Sequence, residues 1–256
     1  SDKGGAYLLS FLPHTANTSR ASPPRRAIGA KLDVATASMS KPSFQIILGS
    51  ASTARRRILA EMGYEFRVMT ADIDERSIRK DKPEELVMAL AEAKADAIIA
   101  RLLNTGQLQK DTDMTLLITA DTVVVYKGVV REKPTSEDEA REFIKGYSGG
   151  HAAVVGSILV TNLTTGSRRV TWERAEVYFH EIPDEIIDSL IEEGITFKVA
   201  GGLMLEHPLT LPFVEAVVRL LIFPFSFLIG NTDTVMGLPS ALTQQFIDEV
   251  LQPLKA

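Results

Sequence analysis

The chain has 256 residues, 45% hydrophobic and 24% charged, with a formal net charge of −5. That balance suits a globular protein with a real core and makes wholesale nucleic-acid binding a poor default, so any phosphate site must be a local basic pocket. The absence of cysteine excludes disulfides, zinc–thiolate centres and thiol nucleophiles together.

Residues 1–40 are rich in Ser, Ala, Pro and Arg, carry only Asp2 and Asp33 as acids, and show no sustained period. They read as a disordered leader or an organelle transit peptide, with Met39 as a functional start the simpler reading. The expected location is the cytoplasm, or a plastid or mitochondrion if that segment is a transit peptide. Residues 41–256 read as the functional domain. From Ile46 to Leu48 a β-branched apolar run predicts a buried strand. Gly49, Ser50, Ala51 and Ser52 follow, small enough for a polyanion to approach the backbone. A helix is expected over Thr53–Met62, capped by Ser52 or Thr53. Strand, small loop and helix start make a phosphate site, because the first N–H groups of a helix are unpaired and partly positive. Arg55 in that first turn opposes the dipole unless an anion offsets it; a solvated basic face is the plain alternative.

Tyr64–Met69 predicts a short strand, and Pro83 opens a helix to about Leu103 with Leu86, Leu90, Ala97 and Ile98 as its buried stripe. Lys94 falls on that stripe, either snorkelling to the core edge or facing an internal cleft. Leu116–Tyr126 is the strongest strand signal, and a carboxylate within it, Asp121, needs a partner, a metal or a cleft. Lys127-Gly128 turns the chain back through Val129-Val130 towards Lys133. Ser136 and Glu139 open a helix ending near Tyr147, Ala152–Val160 and Val170–Phe179 form a hairpin, and helices follow from Pro183 and from about Leu242. With hairpins in the middle, the expected fold is α/β with a mixed sheet. The histidines His14, His151, His180 and His207 lack metal-ligand spacing and read as surface or packing residues.

Arg55, Asp72, Asp74, Glu75, Lys94, Asp121 and Lys133 together combine cations for a polyphosphate with carboxylates for a divalent metal. Phosphoanhydride cleavage needs both. No Ser-His-Asp arrangement or GxxxxGK[ST] loop is evident, so water activated by a carboxylate or metal is the natural nucleophile.

The segments LGSASTARRRILAEMGY, ADIDE, LAEAKA, ITADTVVVYKGVVREKP, YSGGHAAVVGSILV, VAGG and DTVMGLP resemble, in order and spacing, the Maf family of nucleoside-triphosphate pyrophosphatases. The resemblance implies an elongated twisted sheet flanked by helices, with two lobes around a central nucleotide cleft. It implies hydrolysis between the α and β phosphates with Mg²⁺ or Mn²⁺, a nucleotide-pool sanitising activity, and in some members a link to septum formation. By that resemblance Ser50, Arg55, Lys94 and Lys133 hold phosphates, Glu75 and Asp121 hold metal, and Asp121 accepts the proton, with Glu75 and Lys94 completing the catalytic group. The expected partner is a nucleoside triphosphate, with no nucleic acid and no membrane; a homodimer is among the assemblies the resemblance allows.

Departures from the family pattern bear on specificity. Ala54 replaces the first arginine of a common SPRR motif. Thr122 in Ala120-Asp121-Thr122 resembles members acting on dTTP and UTP, whereas Glu206 resembles the branch associated with 7-methyl-GTP. These two signals conflict over the base. A non-catalytic regulatory protein of cell division on the same scaffold is the alternative, opposed by the intact charged set. Residues 219–229, RLLIFPFSFLI, interrupt the expected hairpin with an apolar run. They read as an accident of gene structure in preference to a lid or hydrophobic finger, since exposed Leu, Ile and Phe invite association.

Overall fold

The computed structural model describes residues 44–107, 114–220, 233 and 235–252. Segment 1–40, His14 and residues 221–229 of the apolar run lie outside them. Five helices and seven strands are present among the described residues. Strand β1 (Phe44–Leu48) leads into helix α1 (Thr53–Glu61), and β2 (Arg67–Val68) precedes the long α2 (Pro83–Asn104). Strands β3 (Met114–Tyr126) and β4 (Val129–Arg131) form a hairpin, followed by α3 (Glu137–Tyr147). A second hairpin joins β5 (His151–Asn162) to β6 (Arg168–Phe179); α4 (Asp184–Glu192), β7 (Val214–Leu220) and α5 (Ser240–Leu251) complete the set.

The sheet runs β2-β1-β3-β5-β6-β7, with β4 added to β3. Its β2, β1 and β3 are parallel, and the remaining pairs are antiparallel. The mixed sheet expected from the sequence is therefore observed. Alternation along β3 divides the core. Leu117, Val123 and Val125 face α2, whereas Leu116, Ile118 and Ala120 pack with α1 and α5 residues such as Ile58, Leu59 and Ile247. Farther along, Val124 joins Phe143, Ile144, Ile187 and Leu190 of α3 and α4. Both faces are covered, which is why β3 reads as a continuous apolar run.

Some boundaries differ from the sequence reading. The strand expected over Tyr64–Met69 narrows to two residues, because Tyr64 and Phe66 are taken up as packing against the α1–α5 core. On α2 the buried stripe includes Val87, Ala91, Ala95 and Leu102, while Ala97 is only half-buried. Arg219 and Leu220 continue β7 as partners of Ala175 and Arg174, so the first two residues of the apolar run belong to the sheet. No helix of the described residues is long and apolar enough to cross a membrane.

The turn at Ala200–Gly202 is fixed from three sides. The Gly201 amide donates to Glu132 O at 3.0 Å and the Tyr147 hydroxyl donates to Gly201 O at 3.0 Å. Burial pushes that hydroxyl's pKa up to about 12, so it stays a donor through neutral pH. Gly201 has φ +66, and a Cβ there would lie 2.5 Å from Val124 Cγ2. Gly201→Ala should therefore lower unfolding stability by at least ~2 kcal/mol in urea titration, from left-handed strain plus overpacking.

Candidate active site

Strand β3 outruns its neighbour. Pairing with β1 ends at Leu48↔Ile118 and pairing with β4 begins at Val124↔Arg131. Thr119 to Val123 thus have no strand partner on that edge, while their other edge stays paired to β5. This gap lies at the carboxyl end of a parallel strand, where open α/β sheets receive ligands. Both chemistry-bearing residues of β3, Asp121 and Thr122, fall within it, on opposite faces of the strand.

One side of the gap is built by α1. Ser52 caps the helix, accepting from the Arg55 amide at 3.4 Å, and Ser50 Oγ accepts from the Ser52 amide at 3.2 Å. Of the three arginines, Arg56 and Arg57 are exposed and Arg55 turns inward to become buried. Its Nε donates to Gly237 O at 2.8 Å, Nη1 to Ser50 Oγ at 3.2 Å and Nη2 to Thr122 Oγ1 at 3.0 Å. All three acceptors are neutral. Burial pulls the guanidinium pKa below its ordinary value, and the nearby charges of Asp121 and Glu75 partly oppose that. A buried, still-charged arginine satisfied by neutral oxygens, with two N–H groups unused, is an anion receptor. Gly237 has φ +93 and a Cβ there would come within 2.9 Å of Thr122 Oγ1 and 3.2 Å of Arg55 Nε, so only glycine lets this turn reach the guanidinium. The turn is held by Asp233, whose carboxylate accepts from the Ser240 amide at 2.9 Å and from the Ser240 hydroxyl.

The other side is built by α2. Lys94 and Asp121 side chains are each 11% exposed, and Nζ lies 2.5 Å from Asp121 Oδ1. Glu75 stands in a short 3₁₀ turn, Glu75–Ser77, capped by Asp74, which accepts from the Arg76 amide at 3.1 Å. From there Glu75 Oε1 reaches Lys94 Nζ at 3.1 Å. Asp74 is thus a local cap and Asp72 is exposed; of the acidic run, Glu75 alone joins the cluster.

The structure brings Ser50, Arg55 and Thr122 together, and separately Glu75, Lys94 and Asp121. Ala54 is half-buried on α1. Lys133 is exposed in the link from β4 to α3 and makes no ion pair among the described residues. Glu206 is half-buried in the turn after Gly202, and no partner for its carboxylate is found among the described residues. The four histidines were not expected to be catalytic, and His207 instead pairs with Glu193 at 3.1 Å. Sequence reasoning missed Ser157 and Thr119. Ser157 Oγ donates to Val87 O at 2.7 Å and accepts from the Asp121 amide at 3.2 Å; Thr119 Oγ1 donates to Ala91 O at 2.8 Å. A hydroxyl facing a helix from a fully buried strand position was the available signal.

Residues 45–250 match the family model described as Maf-like protein. The chain belongs to the Maf family. Among related Maf proteins, a Dictyostelium discoideum 7-methyl-GTP pyrophosphatase is 36% identical over 208 residues, covering 81% of this chain and 98% of that protein. A dTTP/UTP pyrophosphatase of Alkaliphilus metalliredigens is 30% identical over 195 residues, covering 76% and 90% respectively. A nucleoside triphosphate pyrophosphatase of Salinispora tropica is 30% identical over 217 residues, covering 82% and 85%.

In this Maf protein the Val87 and Ala91 carbonyls lie one helical turn apart on α2, and each receives one sheet hydroxyl. Both bonds dock the helix, but only the Ser157 hydroxyl also touches Asp121. Ser157→Ala and Thr119→Val should each lower stability by roughly 1 kcal/mol. As a test of the catalytic role expected of Asp121, only Ser157→Ala should also reduce kcat, by about tenfold with KM little changed, because small misplacements of a reacting group are costly. Equal kcat losses in the two variants would assign Ser157 to packing alone.

Proposed function

We propose that the chain hydrolyses nucleoside triphosphates between the α and β phosphates, releasing a nucleoside monophosphate and pyrophosphate. The observation that carries this reading is the pairing, in one gap of β3, of a buried guanidinium held by neutral acceptors with a buried carboxylate. Arg55 presents its unused N–H groups to phosphate oxygens. Ser50 Oγ accepts from Ser52 and Arg55, leaving its own hydrogen for a phosphate. Lys94 and Lys133 supply further positive charge, and Lys133 is free of any ion pair among the described residues that would compete. Asp121 accepts the proton of the attacking water.

The residues present fit a hard divalent ion, Mg²⁺ or Mn²⁺. Glu75 and Asp121 converge on one point already taken by a cation, the Lys94 ammonium. One or two carboxylates completed by waters and substrate phosphates is the usual donor set for Mg²⁺, and no third His, Asp or Glu joins them among the described residues. When bound, such an ion offsets phosphate charge. Glu75 and Asp121 would hold it. The functional unit we assign is residues 41–256.

For the base, we assign Glu206. Its turn follows the Ala200–Gly202 anchor, and a carboxylate without a partner among the described residues suits a base edge offering N–H donors, as a 7-methylguanine does. Thr122, which resembles family members acting on dTTP and UTP, accepts from Arg55 here, which ties it to the phosphate side of the gap. A purely regulatory role is disfavoured by the expense of burying Arg55, Lys94 and Asp121 together without chemistry to perform.

Wild-type protein should release pyrophosphate directly, without stepwise orthophosphate, and lose activity with EDTA. Asp121→Asn should keep its circular dichroism spectrum while turnover falls at least ~100-fold; unimpaired turnover would remove Asp121 from the mechanism. In a screen of ordinary and modified triphosphates, Glu206→Gln should shift kcat/KM towards uracil and thymine nucleotides, since an acceptor is replaced by a group that also donates. An unchanged ranking would place base recognition elsewhere.

A further inference from the structure

The Lys94 ammonium has two tasks that one position does not serve. To grip a triphosphate it must face the phosphates, yet it lies 2.5 Å from Asp121 Oδ1 and 3.1 Å from Glu75 Oε1, on both carboxylates fitted to hold the divalent ion. Two anions sharing one point, one of them buried, require a counter-charge at all times. Ammonium and metal would occupy the same oxygens, so they compete. The anchoring of the three groups suits an exchange. Asp121 is fixed in the centre of β3, Glu75 is 53% exposed on a short turn, and Lys94 carries its charge on a flexible four-carbon stem from a rigid helix. Arg55, whose charge both carboxylates already stabilise, stays in place on the opposite face.

We propose that Lys94 is a place-holder for the divalent ion. Its ammonium neutralises Glu75 and Asp121 in the nucleotide-free protein, and leaves them for the phosphates when metal and triphosphate arrive together. The destination of the ammonium rests on the pyrophosphatase reading; the competition for Glu75 and Asp121 does not. Metal alone binds weakly because it must displace a paired cation that has nowhere favourable to go. The triphosphate supplies that destination, so metal and nucleotide bind cooperatively.

Mn²⁺ binding to nucleotide-free protein, followed by the electron paramagnetic resonance of the free ion, tests this. Lys94→Met should bind Mn²⁺ at least about tenfold more tightly than wild type, since a competing positive charge a few ångströms away is removed. Lys94→Arg, which keeps the charge, should not gain, and Glu75→Gln added to Lys94→Met should abolish the gain. Equal affinity in wild type and folded Lys94→Met overturns the proposal. Should Lys94→Met fail to fold, acetylation of the Lys94 amine in wild type, read by mass spectrometry, should rise as Mn²⁺ is raised until the same resonance measurement shows the site filled; acetylation that stays flat with the site filled overturns it equally. Pyrophosphate release by wild type is scored separately. Its absence would end the pyrophosphatase reading while leaving the Mn²⁺ result standing, and an active wild type with no gain in Lys94→Met would end the place-holder alone.

Discussion

A carboxylate in the middle of a strand packed on both faces cannot stay charged without a cation, and Asp121 obtains one from Lys94 at 2.5 Å. That requirement organises its surroundings. Helix α2 must lie close enough for a four-carbon stem to reach β3, and the Ser157 and Thr119 hydroxyls hold it there through Val87 O and Ala91 O. The acidic segment before α2 must then curl so that Glu75 meets the same ammonium, which the Asp74 cap accomplishes. A lysine on the apolar stripe of a helix is therefore a structural necessity of the acid opposite it.

The second organising feature is the gap in the sheet. Were β1 five residues longer, Thr119–Val123 would be paired on both edges and the strand would offer nothing but a packed surface. Because β1 stops at Leu48, the chain breaks into the Gly49–Ser52 loop beside the open edge. Gly49 fits there only without a side chain, since a Cβ would lie 2.5 Å from Thr119 Cγ2 and 2.8 Å from Ile98 Cδ1. Period-two alternation sends Asp121 towards α2 and Thr122 towards α1, so cations from helices on opposite faces serve one opening. Burial holds the Arg55 pKa below its ordinary value, and the charges of Asp121 and Glu75 across that opening partly oppose the drop.

Relatives that share the family are named for different bases: 7-methyl-GTP in one, dTTP and UTP in another. The triphosphate is common to all of them, so discrimination has to come from groups outside the phosphate machinery. In this chain the turn carrying Glu206 follows Gly201, whose carbonyl is held by Tyr147 and whose amide is held by the Glu132 carbonyl, next to Lys133 in the chain. The turn carrying Glu206 and the segment carrying Lys133 are thus tied through one glycine, and Arg131 packs against the rings of Tyr126 and Phe143.

The sequence by itself determined much of this. Period and capping residues located β1, α1, α2, the β3–β4 turn and the β5–β6 hairpin, because those are local signals: alternation, a Ser52 cap, Pro83 at a helix start, Lys127-Gly128 at a tight turn. It also singled out Arg55, Lys94 and Asp121 as charges out of place in their elements. Only the tertiary structure decided what answers each of them. That Lys94 meets Asp121 joins residues 27 apart, and that Arg55 meets Gly237 O joins residues 182 apart. Neither contact has a local signature, nor do the Ser157 and Thr119 hydroxyls, whose partners are ordinary helix carbonyls. The shrinkage of the second strand had the same origin, since Tyr64 and Phe66 were claimed by the core of α1 and α5. Local chemistry fixes which groups are unusual; pairing them depends on how distant elements pack, and one chain's spacing does not encode that.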